Sequence, residues 1–72
     1  MTPEKWVLEI YLSHSLIARL EFDNVPALRT AVVENRGRMF IVKAPAHATA
    51  ADRITLLDLR AQGFDIAIGP PA

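Results

Sequence analysis

The sequence predicts an α+β domain in which two helices pack on one face of a four-stranded sheet, in the chain order ββαβαβ. Apolar residues recur with a period of two from Trp6 to Phe22, and the pattern then changes to helical spacing. A second alternating run follows a segment that has the form of a helix cap. At 72 residues, the chain has room for one domain, so residues 1–72 are assigned to a single α+β unit.

The first two strands are predicted as a hairpin. The apolar residues of the two runs each fall on one face, and they are Trp6, Leu8, Ile10 and Leu12, then Leu16, Ala18, Leu20 and Phe22. The short polar segment 13–15 between the runs has hairpin length. Placing Leu12 opposite Leu16 also places Glu9 opposite Arg19, which predicts a cross-strand ion pair. The same register places Trp6 opposite Phe22.

A first helix is predicted from about Pro26 to Asn35. The segment from Asp23 to Pro26 offers a capping residue and an early proline, and the apolar residues that follow have helical spacing. Gly37 can then end the helix. An alternative reading takes residues 31–34 as a strand that turns at 35–37, because Val32 and Val33 are β-branched. The sequence leaves both readings open.

The second half of the chain predicts a strand, a helix and a last strand. The apolar run Met39–Val42 is typical of a strand covered on both faces. The segment from Thr49 to Asp52 has the form of a capping box, which predicts a helix over 50–62. After Gly63, apolar residues alternate up to Ile68, before Pro70 and Pro71 end the run. The order of the strands within the sheet is not determined by these patterns.

Composition argues against several classes of function. Eight basic residues balance eight acidic ones, so no net charge attracts a polyanion. The chain has no cysteine, and His14 and His47 have no neighbouring ligand in a metal-binding pattern. No apolar run approaches the roughly 20 residues of a membrane helix. We therefore expect a cytoplasmic protein with no metal, no cofactor and no membrane contact.

Catalytic patterns do not emerge from the sequence either. No serine lies in a Gly-x-Ser-x-Gly elbow, and none of the three isolated glycines opens a helix as a phosphate-binding loop does. The expectation is a protein that is not an enzyme. An enzyme whose site is shared between subunits, and includes His14 or His47, is kept as a third hypothesis.

Two surfaces are candidates for binding a partner. The second predicted helix has one apolar stripe, formed by Ala50, Ile54, Leu57 and Ala61. Leu56 and Leu59 fall outside this stripe, so they either contact a partner or widen the stripe that faces the core. On the outer face of the hairpin, apolar side chains surround the predicted ion pair, and the set is Val7, Glu9, Tyr11, Ile17 and Arg19.

The leading hypothesis is a non-catalytic module that binds a protein partner, including a second copy of itself as a homodimer, and that modulates or inhibits a larger assembly. Phage-type inhibitors such as anti-CRISPR proteins are one example, on size and lack of motifs alone. The alternative is a nucleic-acid-associated protein that uses the basic cluster Arg29, Arg36 and Arg38 to bind anions.

Overall fold

The computed structural model of the chain describes residues 4–69. It is a small α+β structure with a four-stranded sheet and two helices, as the sequence predicts, and the sheet is mixed. The elements are β1 (Trp6–Leu12), β2 (Ser15–Phe22), α1 (Val25–Glu34), β3 (Met39–Lys43), α2 (Ala50–Ala61) and β4 (Asp65–Gly69). The predicted end of the last run at Pro70 and Pro71 lies outside the described residues.

The strands lie in the order β2-β1-β3-β4. Strand β1 is antiparallel to both of its neighbours, whereas β3 and β4 are parallel and are joined through α2. A parallel pair needs such a crossover, because its strands start at the same end of the sheet. Strands β2, β3 and β4 therefore run in one direction. The hairpin turn after β1 consequently lies at the end of the sheet where β3 and β4 begin.

The register of the hairpin is as predicted for most of its length. Trp6 pairs with Phe22 and Glu9 with Arg19, but the register shifts after Ile10. Beyond this β-bulge, Leu12 pairs with Ser15, so its predicted pairing with Leu16 is wrong. An extra residue in one strand reverses the faces of the residues beyond it, because side chains alternate along a strand. Leu16 therefore lies opposite Tyr11, on the face that does not carry Leu8 and Ile10.

A two-residue turn joins β1 to β2. Ser13 has φ 51° and His14 has φ 70°, so both residues are in the left-handed region. Two positive φ angles define the turn that matches the twist of a hairpin, and Asn-Gly is the pair that favours it. Glycine, asparagine and aspartate adopt this conformation at the lowest cost, and neither residue here is one of them.

Helix α1 includes residues 31–34, so the alternative reading of this segment as a strand is wrong. The helix begins at its cap, where the Ala27 N–H donates to Asn24 Oδ1 at 3.0 Å. It ends with the Asn35 side chain, which donates to the Ala31 carbonyl at 2.7 Å. Val32 is fully buried in the core, and this packing outweighs the strand preference of a β-branched residue.

The capping box of α2 is confirmed. The Thr49 N–H donates to Asp52 Oδ2 at 3.1 Å, and the Asp52 N–H donates to Thr49 Oγ1 at 3.2 Å. After the helix, Gly63 has φ 104°, a conformation that glycine adopts without steric cost. The chain then re-enters the sheet, with the Phe64 N–H donating to the Leu59 carbonyl at 3.3 Å. Local sequence thus determines both ends of α2.

One hydrophobic core joins the sheet to both helices. Its largest buried side chains are Trp6, Leu8, Ile10, Leu28, Val32, Phe40, Val42, Leu56 and Leu59. In β3, Phe40 and Val42 are buried, while Met39 and Ile41 are only partly covered. The prediction that β3 is covered on both faces is therefore wrong. An apolar residue of a central strand need not be covered by another layer, because the side chains of the neighbouring strands already shield part of it from water.

Candidate partner-binding surfaces

Helix α2 buries the opposite apolar face from the one that we expected. Leu56 and Leu59 are both 0% exposed and belong to the core. They cannot contact a partner while the domain is folded, so their assignment to a partner-binding surface is wrong. Both apolar faces have helical spacing, and the buried one presents two leucines where the other carries alanines at its ends. Each face carries two large apolar side chains, so helical spacing alone does not decide which of them is buried.

The other apolar face of α2 points to solvent. We call Ala50, Ile54, Leu57 and Ala61 the α2 stripe, and all four residues are exposed. Ile54 is 66% exposed and Leu57 is 49% exposed. Residues three and four apart are neighbours on a helix, so these side chains form a continuous line. The sequence predicts this stripe, but on the side of the helix that faces the core.

Charged residues border the α2 stripe on both sides. Arg53 and Arg60 lie next to Leu57 on one side, and both are exposed. Neither takes part in the ion pairs formed among residues 4–69. Asp58 lies on the other side, next to Ile54, and its carboxylate accepts a hydrogen bond from Gln62 Nε2 at 2.8 Å. The basic side of the stripe is therefore the one whose charges have no partner in the described part of the chain.

The outer face of the hairpin is less accessible than the sequence suggests. Val7 is buried, although it lies outside the main core. The Glu9 side chain is only 13% exposed, and its Oε2 lies 3.6 Å from Lys43 Nζ. Its Oε1 accepts a hydrogen bond from the Tyr11 hydroxyl at 3.3 Å. Most of this predicted surface is therefore engaged in contacts within the sheet.

The predicted ion pair between Glu9 and Arg19 does not form, although these residues are opposite in the ladder. Glu9 pairs with Lys43 of β3, and Arg19 Nη1 lies 3.6 Å from Glu21 Oε1. A long lysine side chain reaches a diagonal neighbour on the adjacent strand. Sequence reasoning could not foresee this competition, because it did not place β3 beside β1.

Burial and the nearby Glu9 carboxylate affect the phenol of Tyr11. Partial desolvation raises the pKa of Tyr11, and the negative charge of Glu9 and its hydrogen bond raise it further. Each effect disfavours the phenolate. Tyr11 therefore acts in this face as a neutral hydrogen-bond donor, and this supports a structural role for the Tyr11, Glu9 and Lys43 group.

Strand β2 forms an edge of the sheet with exposed apolar side chains. Leu16, Ile17 and Leu20 are all exposed, and Leu12 at the end of β1 is exposed beside them. Among the described strands, β2 has β1 as its one neighbour. We call the free side of β2 the β2 edge. Of the predicted surface residues, Ile17 and Arg19 lie here, while Leu16 and Leu20 were missed because alternation alone assigned them to the core.

The predicted basic cluster divides between two clefts. Arg36 and Arg38 line a cleft of about 450 Å³ between the ends of the helices and the starts of β3 and β4. The guanidinium carbon of Arg36 lies 5.3 Å from the centre of the Phe64 ring, which is the geometry of a cation–π contact. Arg29 lines a different cleft, beside Asp52 of α2. The three arginines therefore do not form one anion-binding patch.

The two histidines lie at opposite ends of the sheet. His14 is in the hairpin turn after β1, and His47 follows the end of β3, which is antiparallel to β1. Among residues 4–69, no group of three His, Asp or Glu side chains is placed to hold a metal ion. Neither α1 nor α2, the helices of this range, has the length and apolar character needed to span a bilayer.

Comparisons of the chain with protein-family models, with curated proteins and with solved structures gave no match. The geometry of the described surfaces is therefore the basis for inferring function. Two of these surfaces, the α2 stripe and the β2 edge, combine exposed apolar side chains with charges of defined position.

Proposed function

We propose that the protein is a non-catalytic binding module that docks the α2 stripe into a groove of a larger protein assembly and thereby modulates or inhibits that assembly. The observation that carries the proposal is the exposure of Ile54 and Leu57 on one line of the helix. Single exposed apolar residues are normal, whereas a continuous apolar line with a charged border is typical of a binding surface. This is the helix-in-groove mode of recognition.

We also propose that both helices pack on the same face of the sheet, because this arrangement determines which face of α2 is free. Leu28 of α1 and Leu56 of α2 are members of one core, together with Leu8 and Phe40 of the sheet. With the helices side by side, the face of α2 opposite to Leu56 points away from the domain. The α2 stripe is then accessible along its whole length of about three turns. A single exposed helix face of this kind suits a groove on the partner better than a flat surface.

Charge indicates the chemistry of the partner. Arg53 and Arg60 are seven residues apart on the same side of the stripe, which places them about 10 Å apart along the helix axis. A complementary groove is apolar at its base and carries carboxylates along one rim. Arginine suits such a rim, because its guanidinium forms paired hydrogen bonds with a carboxylate.

Site-specific photo-crosslinking in the cells that make the protein tests this proposal. A photoreactive amino acid at position 57 is compared with the same amino acid at position 34, an exposed site on α1. The expected result is one cross-linked protein from position 57 alone, with the cross-link mapped to an apolar groove that has acidic residues at its rim.

Two further variants complete the design. Ile54→Asp is expected to abolish this cross-link, whereas Val33→Asp, which changes an exposed apolar residue outside the stripe, leaves it intact. The same set of proteins from positions 57 and 34, or no cross-link from position 57, would overturn the proposal.

Nucleic-acid association is a second candidate, favoured by the cleft that holds Arg36, Arg38 and Phe64. An arginine and an aromatic ring at one cleft can contact a phosphate and a stacked base. Binding of a fluorescent single-stranded oligonucleotide, measured by anisotropy, should then weaken steeply between about 50 and 200 mM salt. It should also be lost in Arg36→Ala. Binding that is absent at the lower salt concentration would exclude this candidate.

A further inference from the structure

The β2 edge combines features that edge strands of monomeric proteins usually avoid. At eight residues, β2 is the longest strand described, and it lies at the edge of the sheet. Exposed, long and apolar edges invite pairing with another strand, and proteins commonly protect them with charged residues, proline, a bulge or a covering segment. Strand β2 has a bulge and two charged residues, Arg19 and Glu21, but its regular segment Ala18–Phe22 contains neither proline nor lysine, and Leu20 within this segment is 38% exposed.

We propose that the partner of this edge is a second copy of the chain, which pairs β2 with β2 in antiparallel orientation around a two-fold axis. The inference deepens the proposed function as a protein-binding module, but it concerns a different surface from the α2 stripe. In such a symmetric pair, directly opposed residues lie on the same face of the joined sheet. Consecutive side chains point to opposite faces, so two opposed residues must be an even number of positions apart in the chain. The two-fold axis therefore passes between two copies of the same residue.

Charge selects the residue at the axis. With Leu20 opposite Leu20, Arg19 of each copy lies opposite Glu21 of the other, so two attractive pairs form on one face. Moving the axis to Arg19 places two arginines opposite each other. Moving it to Glu21 does the same with two carboxylates, and like charges directly opposed are destabilising.

The bulge excludes the next register. An axis at Ala18 would place Leu16 of one copy opposite Leu20 of the other. The register shift puts Leu16 on the face of Tyr11, whereas Leu20 lies on the face of Leu8, so these side chains cannot meet. Pairing around Leu20 uses Ala18–Phe22, the part of β2 whose pairing with β1 is regular.

The two copies would together form a continuous sheet of eight strands. Apolar contact between the two Leu20 side chains and backbone hydrogen bonds between the edges stabilise the pair, and the arginine–glutamate contacts specify its register. The dimer carries two copies of the α2 stripe. A module with two docking sites binds a repeated or dimeric partner more tightly than either site alone.

A charge-exchange experiment tests the pairing directly. Light scattering behind size exclusion at two protein concentrations should give twice the 8.0 kDa chain mass for the wild type. Arg19→Glu and Glu21→Arg, each alone, place like charges opposite each other and should give monomers. An equimolar mixture of the two variants restores both attractive pairs and should recover the dimer mass. The double variant Arg19→Glu/Glu21→Arg should recover it as well.

The experiment includes a control that the variants are folded. The side chains of Arg19 and Glu21 are 53% and 49% exposed, so each variant should keep the wild-type circular dichroism spectrum. A monomeric wild type, single variants that remain dimers, or a mixture that stays monomeric would overturn the pairing. None of these outcomes changes the cross-link expected from position 57, so failure of the dimer and failure of the proposed function are separate results.

Discussion

Leu56 and Leu57 are consecutive residues of α2 with opposite environments, since Leu56 is 0% exposed and Leu57 is 49% exposed. Adjacent residues of an α-helix point about 100° apart, so one of them can face a core while its neighbour faces solvent. This relationship defines which apolar face of the helix stabilises the domain and which is free to contact another molecule.

Replacing each leucine by alanine should separate the two roles. Leu56→Ala leaves a cavity in the core and is expected to lower the free energy of unfolding by about 2–5 kcal/mol. Leu57→Ala removes a half-exposed side chain and should change it by about 0.5 kcal/mol. Urea denaturation followed by circular dichroism measures both values. An equal loss in the two variants would contradict the packing of α2.

The capping box of α2 gives a second prediction. Thr49→Ala removes the acceptor of the Asp52 N–H and should cost about 1 kcal/mol of stability. Thr55→Ala is the matched control, because the Thr55 hydroxyl donates only to the Ala51 carbonyl within the helix. That change should be close to neutral, since alanine has the higher helix propensity. Thermal unfolding of the two variants compares the effects.

The environment of Tyr11 predicts a pH dependence. Its pKa is raised above 10.0, so the folded protein holds the phenolic proton more tightly than the unfolded chain does. Stability is therefore fully present below pH 10 and falls as the pH rises through the folded pKa. Glu9→Gln removes the carboxylate charge and should lower the pKa of Tyr11 part of the way towards 10.0, because desolvation remains.

Tyr11 is the only tyrosine, so the near-ultraviolet absorbance of its phenolate reports this titration directly. Lys43→Gln is the complementary variant. It removes a positive charge beside Glu9, and the Tyr11 pKa should not fall in this case. A Glu9→Gln variant with an unchanged or higher pKa would show that Glu9 does not act on the phenol.

The hairpin turn predicts a stabilising substitution. His14 adopts φ 70°, and a left-handed conformation costs a non-glycine residue about 1–2 kcal/mol. His14→Gly relieves this strain and should raise the free energy of unfolding by about 0.5–1 kcal/mol after the entropy cost of glycine. Ser15→Gly, at the start of β2, is the control and should lower it. Chemical denaturation distinguishes a gain from a loss.

The local features of the fold could be read from the sequence. Thr49 and Asp52 marked the start of α2, and Asn24 with Pro26 marked the start of α1, because caps use hydrogen bonds between residues close in sequence. The register that places Glu9 opposite Arg19 in the ladder also followed from the alternation of the two runs. The bulge did not follow from it, because the consecutive apolar residues Leu16, Ile17 and Ala18 fit either register, and the position of an extra residue depends on the pairing with β1.

The candidate surfaces depended on information that the sequence does not contain. It identified the α2 stripe and the apolar residues of the hairpin, but it expected Ile54 and Leu57 to face the core and left Leu56 open between the core and a partner. Periodicity places residues relative to one another on a single element, whereas burial depends on which side of that element another one packs against.

By itself, therefore, the sequence determined the kinds of element, their approximate limits and the absence of cysteine. Only the tertiary structure decided that β2 lies at an edge, that Glu9 pairs with Lys43 instead of Arg19, and that Leu57 faces solvent. These outcomes arise from contacts between residues far apart in the chain, and such contacts are selected by the total apolar area that all elements bury together.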